Sequence, residues 1–124
     1  ARQLEYVGAL DGVLDFSYQQ ILCDAVHKKQ TIMNNQKLRE KVKSHFARYP
    51  TSFQLWLFLD NHDLNRFLYE CGGNTALLQE CIEFSKQWNK TWLMFYGTEK
   101  GFTNKKTIFD GTPYADERVR MCLN

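Results

Sequence analysis

Three short apolar runs mark the chain: Gly12-Val13-Leu14-Asp15-Phe16, Leu55-Trp56-Leu57-Phe58-Leu59 and Trp92-Leu93-Met94-Phe95-Tyr96, the last closed by Gly97. The second and third are nearly continuous in apolarity instead of alternating, the pattern expected of strands covered on both faces in a parallel sheet. Between the runs, apolar positions recur at helical spacing. Tyr18, Ile21, Leu22, Ala25 and Val26 form one stripe. Leu38, Val42, His45 and Phe46 form a second, in a helix expected from about Gln36 to Arg48. Leu77, Leu78, Cys81, Ile82, Ser85 and Trp88 form a third, whose start Asn74 and Thr75 can cap after the flexible Gly72-Gly73. All three stripes read as core packing. The order strand, helices, strand, helix, strand suggests βαβ units with right-handed crossovers, an α/β class. Beyond Tyr96 the chain is expected to run as a loop through Gly97, Gly101, Gly111 and Pro113 into the charged stretch Asp116-Glu117-Arg118-Val119-Arg120.

Composition supports a packed domain or part of one. The 124 residues are 44% hydrophobic and 15% aromatic, enough apolar material for a core. A net charge of +2 is too small to argue for nucleic acid. Lys28-Lys29 and Lys105-Lys106, the densest basic pairs, read as solvated surface. Cys23, Cys71, Cys81 and Cys122 include no C-x-x-C pair, so a zinc site is not expected. Read as reduced, mostly buried thiols, they lean toward a reducing, cytoplasmic compartment. No apolar run approaches the roughly 20 residues that span a membrane, so no membrane partner is expected, and Ala1-Arg2-Gln3-Leu4-Glu5 lacks the apolar region of a signal peptide.

The chemistry collects at the strand ends, where α/β proteins place their functional residues. The second run leads into Asp60, Asn61, His62 and Asp63, with Asn65 and Arg66 just beyond. The third ends in Tyr96, Gly97, Thr98 and Glu99, and the first in Asp15, Phe16 and Tyr18. Parallel strands put all three ends on one rim. Carboxylates, an imidazole and aromatic faces together suit a sugar, whose hydroxyls need paired donors and acceptors and whose ring faces stack on aromatic ones. Asp15 reads as a structural hydrogen-bonding group and Glu99 as an ion-pair partner as readily as a sugar ligand. Trp56, Trp88 and Trp92 are expected in the core.

These segments resemble a known family. Phe58 to Arg66 resembles the strand-seven motif of the α-amylase superfamily of glycoside hydrolases, roughly F-x-[EDN]-N-H-D-x-x-R. Phe95-Tyr96-Gly97-Thr98-Glu99 resembles its Y-Y-G-T-E at strand eight. Leu10 to Tyr18 resembles its strand-six segment, with Asp15-Phe16 where Asn-Tyr is common. Asp116 to Met121 is similar to a variant of its D-x-x-R-x-x-M loop. The resemblance covers nearly the whole chain, with the four segments in the family's order.

The resemblance implies a partial (β/α)8 TIM barrel, with about three parallel strands and intervening helices. A full barrel takes about 250 residues, so residues 1–124 are expected to be the C-terminal part of an α-amylase-type catalytic barrel, incomplete at both ends. The family cleaves or transfers α-glucosidic bonds with retention, which requires a carboxylate nucleophile and a separate acid/base. By resemblance these are an Asp after strand four and a Glu after strand five, segments outside this sequence, so the chain alone is expected to be inactive. Asp63 maps to the third carboxylate, which stabilises the transition state. His62 maps to the imidazole that binds the same sugar, with Asn61, Asn65, Arg66, Tyr96 and Glu99 as further substrate-binding residues. The expected partners are an α-glucan or maltooligosaccharide, and self-association or pairing with the missing half-barrel. No cofactor or metal is expected in this segment, with calcium a candidate only in a full-length parent. Two alternatives stand beside this reading: a non-catalytic carbohydrate-binding or subunit-association module derived from the fold, and an unrelated small α/β domain.

Overall fold

The computed structural model describes residues 2–121. A 3-10 turn, Arg2–Tyr6, precedes strand β1, Gly12–Leu14. Helices α1 (Phe16–His27) and α2 (Gln36–Ala47) then lead to β2, Gln54–Trp56. The one-turn helix α3 (Phe67–Glu70) and α4 (Thr75–Lys86) follow, and then the 3-10 turns Thr98–Lys100 and Ala115–Val119. The two strands pair in parallel with Val13 opposite Leu55 and Leu14 opposite Trp56. Gly12 permits their close approach, since a Cβ there would lie 2.5 Å from the Gln54 carbonyl oxygen.

The helices begin where the sequence supplies caps. Asp15, Asn35 and Asn74 each accept a hydrogen bond from a backbone N–H three residues on, at Tyr18, Leu38 and Leu77. Such a cap contributes about 1 kcal/mol. Asp15 does more: its carboxylate, fully buried, also receives Gln3 Nε2 at 3.1 Å and His45 Nε2 at 2.8 Å, tying the first turn, α1 and α2 together. This is the structural role expected of it. The stripes form one core, with Tyr18, Leu22 and Val26 of α1, Leu38 and Val42 of α2, Leu57 and Leu59, Phe67, and Leu78, Ile82 and Phe84 of α4. The Tyr18 hydroxyl meets Ser85 Oγ at 2.8 Å inside it, and burial raises that hydroxyl above its usual pKa.

The structure corrects the expected strands in three ways. The first run ends two residues sooner, because Asp15 turns from strand to cap and Phe16 opens α1. The second contributes only Gln54–Trp56 as a strand, beginning before Leu55 and ending before Phe58. The third forms a single parallel bridge, Leu57 with Trp92, in which Leu57 N donates to the Thr91 carbonyl and Leu93 N to the Leu57 carbonyl, each at 2.8 Å. The strand direction is as expected, but among the described residues the sheet proper has two strands.

The expectation of burial on both faces holds at Leu57, Phe58 and Leu59, which are all buried, and fails at Trp56. Along β2, Leu55 is buried while Gln54 and Trp56 are exposed. Leu14 and Trp56, which pair across the two strands, are both exposed, as are Leu93 and Met94 after the bridge. Trp56 is therefore not a core residue, whereas Trp88 and Trp92 pack against the core partly buried. Cys23, Cys71 and Cys81 are free and buried, as expected, and Cys122 lies outside the described residues.

Candidate functional site

The parallel arrangement brings the three strand ends to one rim. Asp15 N donates to the Trp56 carbonyl at 2.9 Å, joining the first end to the second. Asp60 joins the second to the third: its Oδ2 accepts from Phe67 N and its Oδ1 from Thr98 Oγ1, both at 2.8 Å. One buried carboxylate thus starts α3 and fastens the loop that carries Tyr96 and Glu99. Burial is the largest influence on Asp60 and raises its carboxyl above the ordinary carboxylate value, while these two hydrogen bonds and the nearby Arg66 act the other way.

Arg66 is the hub. The side chain is fully buried. Its Nε donates to the Val119 carbonyl at 2.9 Å and its Nη1 to the Tyr96 carbonyl at 2.7 Å. Its guanidinium carbon lies 4.0 Å from the Phe95 ring centre and 5.1 Å from that of Tyr96, distances at which cation and ring attract. Its Nη2 has no hydrogen-bond partner among the described residues. Asn65, also buried, donates to Glu70 Oε1 and Thr107 Oγ1, and its Oδ1 accepts from Asn104 Nδ2 and Ile108 N. Asn104 in turn accepts from Arg66 N at 2.9 Å. Asn65 and Arg66 were expected at a sugar. The structure instead turns both inward, where they hold the 104–108 loop and the 115–119 turn against the strand end. Aromatic rings surround the buried guanidinium, Phe102 among them at 5.5 Å.

His62 and Asp63 face the other way, with side chains 61% and 64% exposed. Asn61, half-buried, shapes their turn: its Oδ1 accepts from Asp63 N at 2.9 Å. His62 Nε2 and Asp63 Oδ2 are 3.4 Å apart. Arg120, a residue the motif reading did not select, reaches both, with Nε 3.2 Å from the His62 carbonyl oxygen and Nη2 3.4 Å from Asp63 Oδ1. The signal available for it was the charged stretch 116–120.

Tyr96 and Glu99 are exposed on the neighbouring loop. Gly97 sets that loop's path, with φ +88° and a position where a Cβ would sit 2.2 Å from the Phe102 ring. A cavity of about 760 Å³ lies beyond it, lined in part by Phe102, Asn104, Lys105, Arg118 and Met121, and includes none of the predicted site residues. Among the described residues no three His, Cys, Asp or Glu side chains converge to hold a metal ion, and no described helix is long and apolar enough to cross a membrane. The rim presents an exposed carboxylate, an imidazole and an aromatic face side by side in the chain's fold.

The family described as "Alpha amylase, catalytic domain" matches residues 3–122. The chain belongs to that family. Alpha-amylase 2 of Dictyoglomus thermophilum is 28% identical over 117 residues, covering 94% of this chain and 20% of the relative. Neopullulanase 2 of Thermoactinomyces vulgaris is 45% identical over 47 residues, covering 38% of this chain and 8% of the relative. The chain thus spans a minor part of the alpha-amylase-family proteins it matches. Membership makes the small α/β piece described above, two parallel strands with four helices, a fragment of that family's catalytic domain.

Proposed function

We propose that this chain is part of a retaining, α-glucan-acting glycoside hydrolase and contributes Asp63 and His62 to the subsite that holds the reacting sugar. The observation that carries the reading is the open His62–Asp63 pair on the rim of a chain in the alpha-amylase catalytic-domain family. In this reading residues 1–124 form the C-terminal part of a (β/α)8 barrel, and other segments supply the nucleophile and the acid/base. Asp63 accepts hydrogen bonds from two sugar hydroxyls, and its charge favours the oxocarbenium-like transition state over the neutral ground state. His62 binds the same ring, and Tyr96 offers a stacking face. Asn65 and Arg66 act by position, and any calcium in a full-length parent is held by other segments. In that hydrolase Asp63→Asn should lower kcat on maltotetraose about 10²–10³-fold, with thermal stability unchanged. An unaltered kcat would overturn the assignment.

The second reading, a subunit-association module, is favoured by the exposed apolar side chains Leu14, Trp56, Leu93 and Met94. Exposed apolar surface that joins into a patch drives association. The isolated chain should show no hydrolysis under either reading, and in sedimentation experiments it should self-associate in a way that Trp56→Glu weakens. A monodisperse monomer unaffected by that substitution would count against the association reading.

A further inference from the structure

We infer that Arg120 is a positioning residue for Asp63, so that the charged segment following the third strand end sets the orientation of the carboxylate at the second. The link to turnover rests on the function proposed above for Asp63; the clamp itself stands on geometry. The Arg120 guanidinium addresses three acceptors. Nη1 lies 2.7 Å from Asp116 Oδ2, one helical turn back. Nε donates to the His62 carbonyl at 3.2 Å, and Nη2 lies 3.4 Å from Asp63 Oδ1. The short contact with Asp116 aims the fork, and the two longer ones are where it is aimed. The backbone is fixed as well: Val119, the preceding residue, is fully buried and its carbonyl receives Arg66 Nε. The other arginine of the segment, Arg118, points away to Asp110 and the Thr107 carbonyl.

The length of the contacts is part of the argument. Asp63 has one oxygen 3.4 Å from Arg120 and the other 3.4 Å from His62. A close bidentate ion pair would occupy both carboxylate oxygens. Contacts this long bias the rotamer yet leave lone pairs for sugar hydroxyls, of which a carboxylate offers about four. A planar guanidinium reaches the carbonyl and the carboxylate from separate nitrogens in a fixed plane, whereas an ammonium presents its donors from a single rotating point.

Two measurements on Arg120→Ala, Arg120→Lys and Asp116→Asn test this. In the chain itself, NMR side-chain couplings of Asp63 should report one dominant χ1 rotamer, averaging in Arg120→Ala, not restored by Arg120→Lys, and partly averaging in Asp116→Asn, which leaves Arg120 in place. Identical rotamer distributions in all four proteins would overturn the clamp. In the full-length hydrolase on maltotetraose, Arg120→Ala should lower kcat about ten- to a hundred-fold with little change in KM, the signature of misplaced rather than missing machinery. An unchanged kcat would overturn the positioning role. If Asp63→Asn itself leaves turnover intact, the function proposed for Asp63 falls while the NMR result still decides the clamp.

Discussion

Residues 60–66 divide into two halves built on opposite terms. Asp60, Asn65 and Arg66 are buried, and nearly every polar atom they carry meets a partner within the chain. His62 and Asp63, between them in sequence, are exposed, and the contacts of their side chains are at 3.4 Å. The difference teaches how a polar motif on one short loop can be both scaffold and site. Buried polar groups must be fully paired or they cost several kcal/mol, so they hold geometry. Exposed groups contribute little to stability and remain free for a ligand. The inner half carries the neighbouring loops, and the outer half presents the chemistry.

The sharpest way to break this comparison is Arg66→Ala. It removes a buried cation from beside Asp60 and orphans the carbonyls of Tyr96 and Val119. Breaking a buried charged network in this way costs about 3–5 kcal/mol, comparable with the whole stability of a small domain. Chemical denaturation should show a chain largely unfolded, and Arg66→Lys should not restore it, because an ammonium lacks the fork and the flat stacking face. Asp63→Asn should leave the unfolding free energy within about 0.5 kcal/mol of the parent. If the two substitutions cost the same, the division into halves is wrong.

The sequence revealed the outer half more readily than the inner. Asn-His-Asp after an apolar run identified the exposed pair, since its chemistry is local. Caps and stripes were legible for the same reason: Asn74 and the stripe from Leu77 onward specify α4 without distant contacts. The destination of Arg66 was not legible, because it depends on Phe95, Tyr96 and Val119, some 30 to 53 residues away. The third strand was misjudged because an apolar run records hydrophobicity and not pairing; beyond the bridge at Leu57 and Trp92 no further ladder forms among the described residues. Trp56 was misplaced because periodicity cannot say which sheet face has a second layer. Helix α3 was missed because four residues are too few to display a period.

A smaller effect sharpens the account of the inner half. Burial raises the Asp60 carboxyl above its ordinary 3.8, so the folded chain binds that proton more tightly than the unfolded chain does. The resulting stability is fully present below pH 3.8 and is lost as pH rises through the folded-state value. Asp60→Asn cannot titrate. Replacing an acceptor of two hydrogen bonds should cost about 1–2 kcal/mol in acid and less toward neutral pH. Denaturation midpoints of the two proteins at several pH values check this; a difference independent of pH would mean that burial does not dominate at Asp60.

The smallest predicted effect asks whether exposure alone explains how loosely Asp63 is held. Asp110 supplies the control, since it too is a surface carboxylate facing an arginine of the 116–120 stretch. Yet Arg118 Nη1 lies 2.7 Å from Asp110 Oδ2, and Thr112 N donates to Oδ1 at 2.9 Å. Those bonds, the one from Arg118 foremost, lower its carboxyl from 3.8 to about 2. A lowered value reverses the sign argued for Asp60: the contribution is present above pH 3.8 and is lost as pH falls toward about 2. Asp110→Asn should therefore flatten the acid side of the stability profile slightly and leave the neutral side nearly parallel to the parent. High salt should weaken the effect, because surface pairs are screened. NMR titration of Asp110 and Asp63 in the same sample gives the direct comparison. An Asp110 that titrates at its ordinary value would mean that the segment holds neither carboxylate closely. A depressed Asp110 beside a rotamer-biased but ligand-accessible Asp63 would mean that one short stretch grips two acids in different ways, sequestering one and only orienting the other.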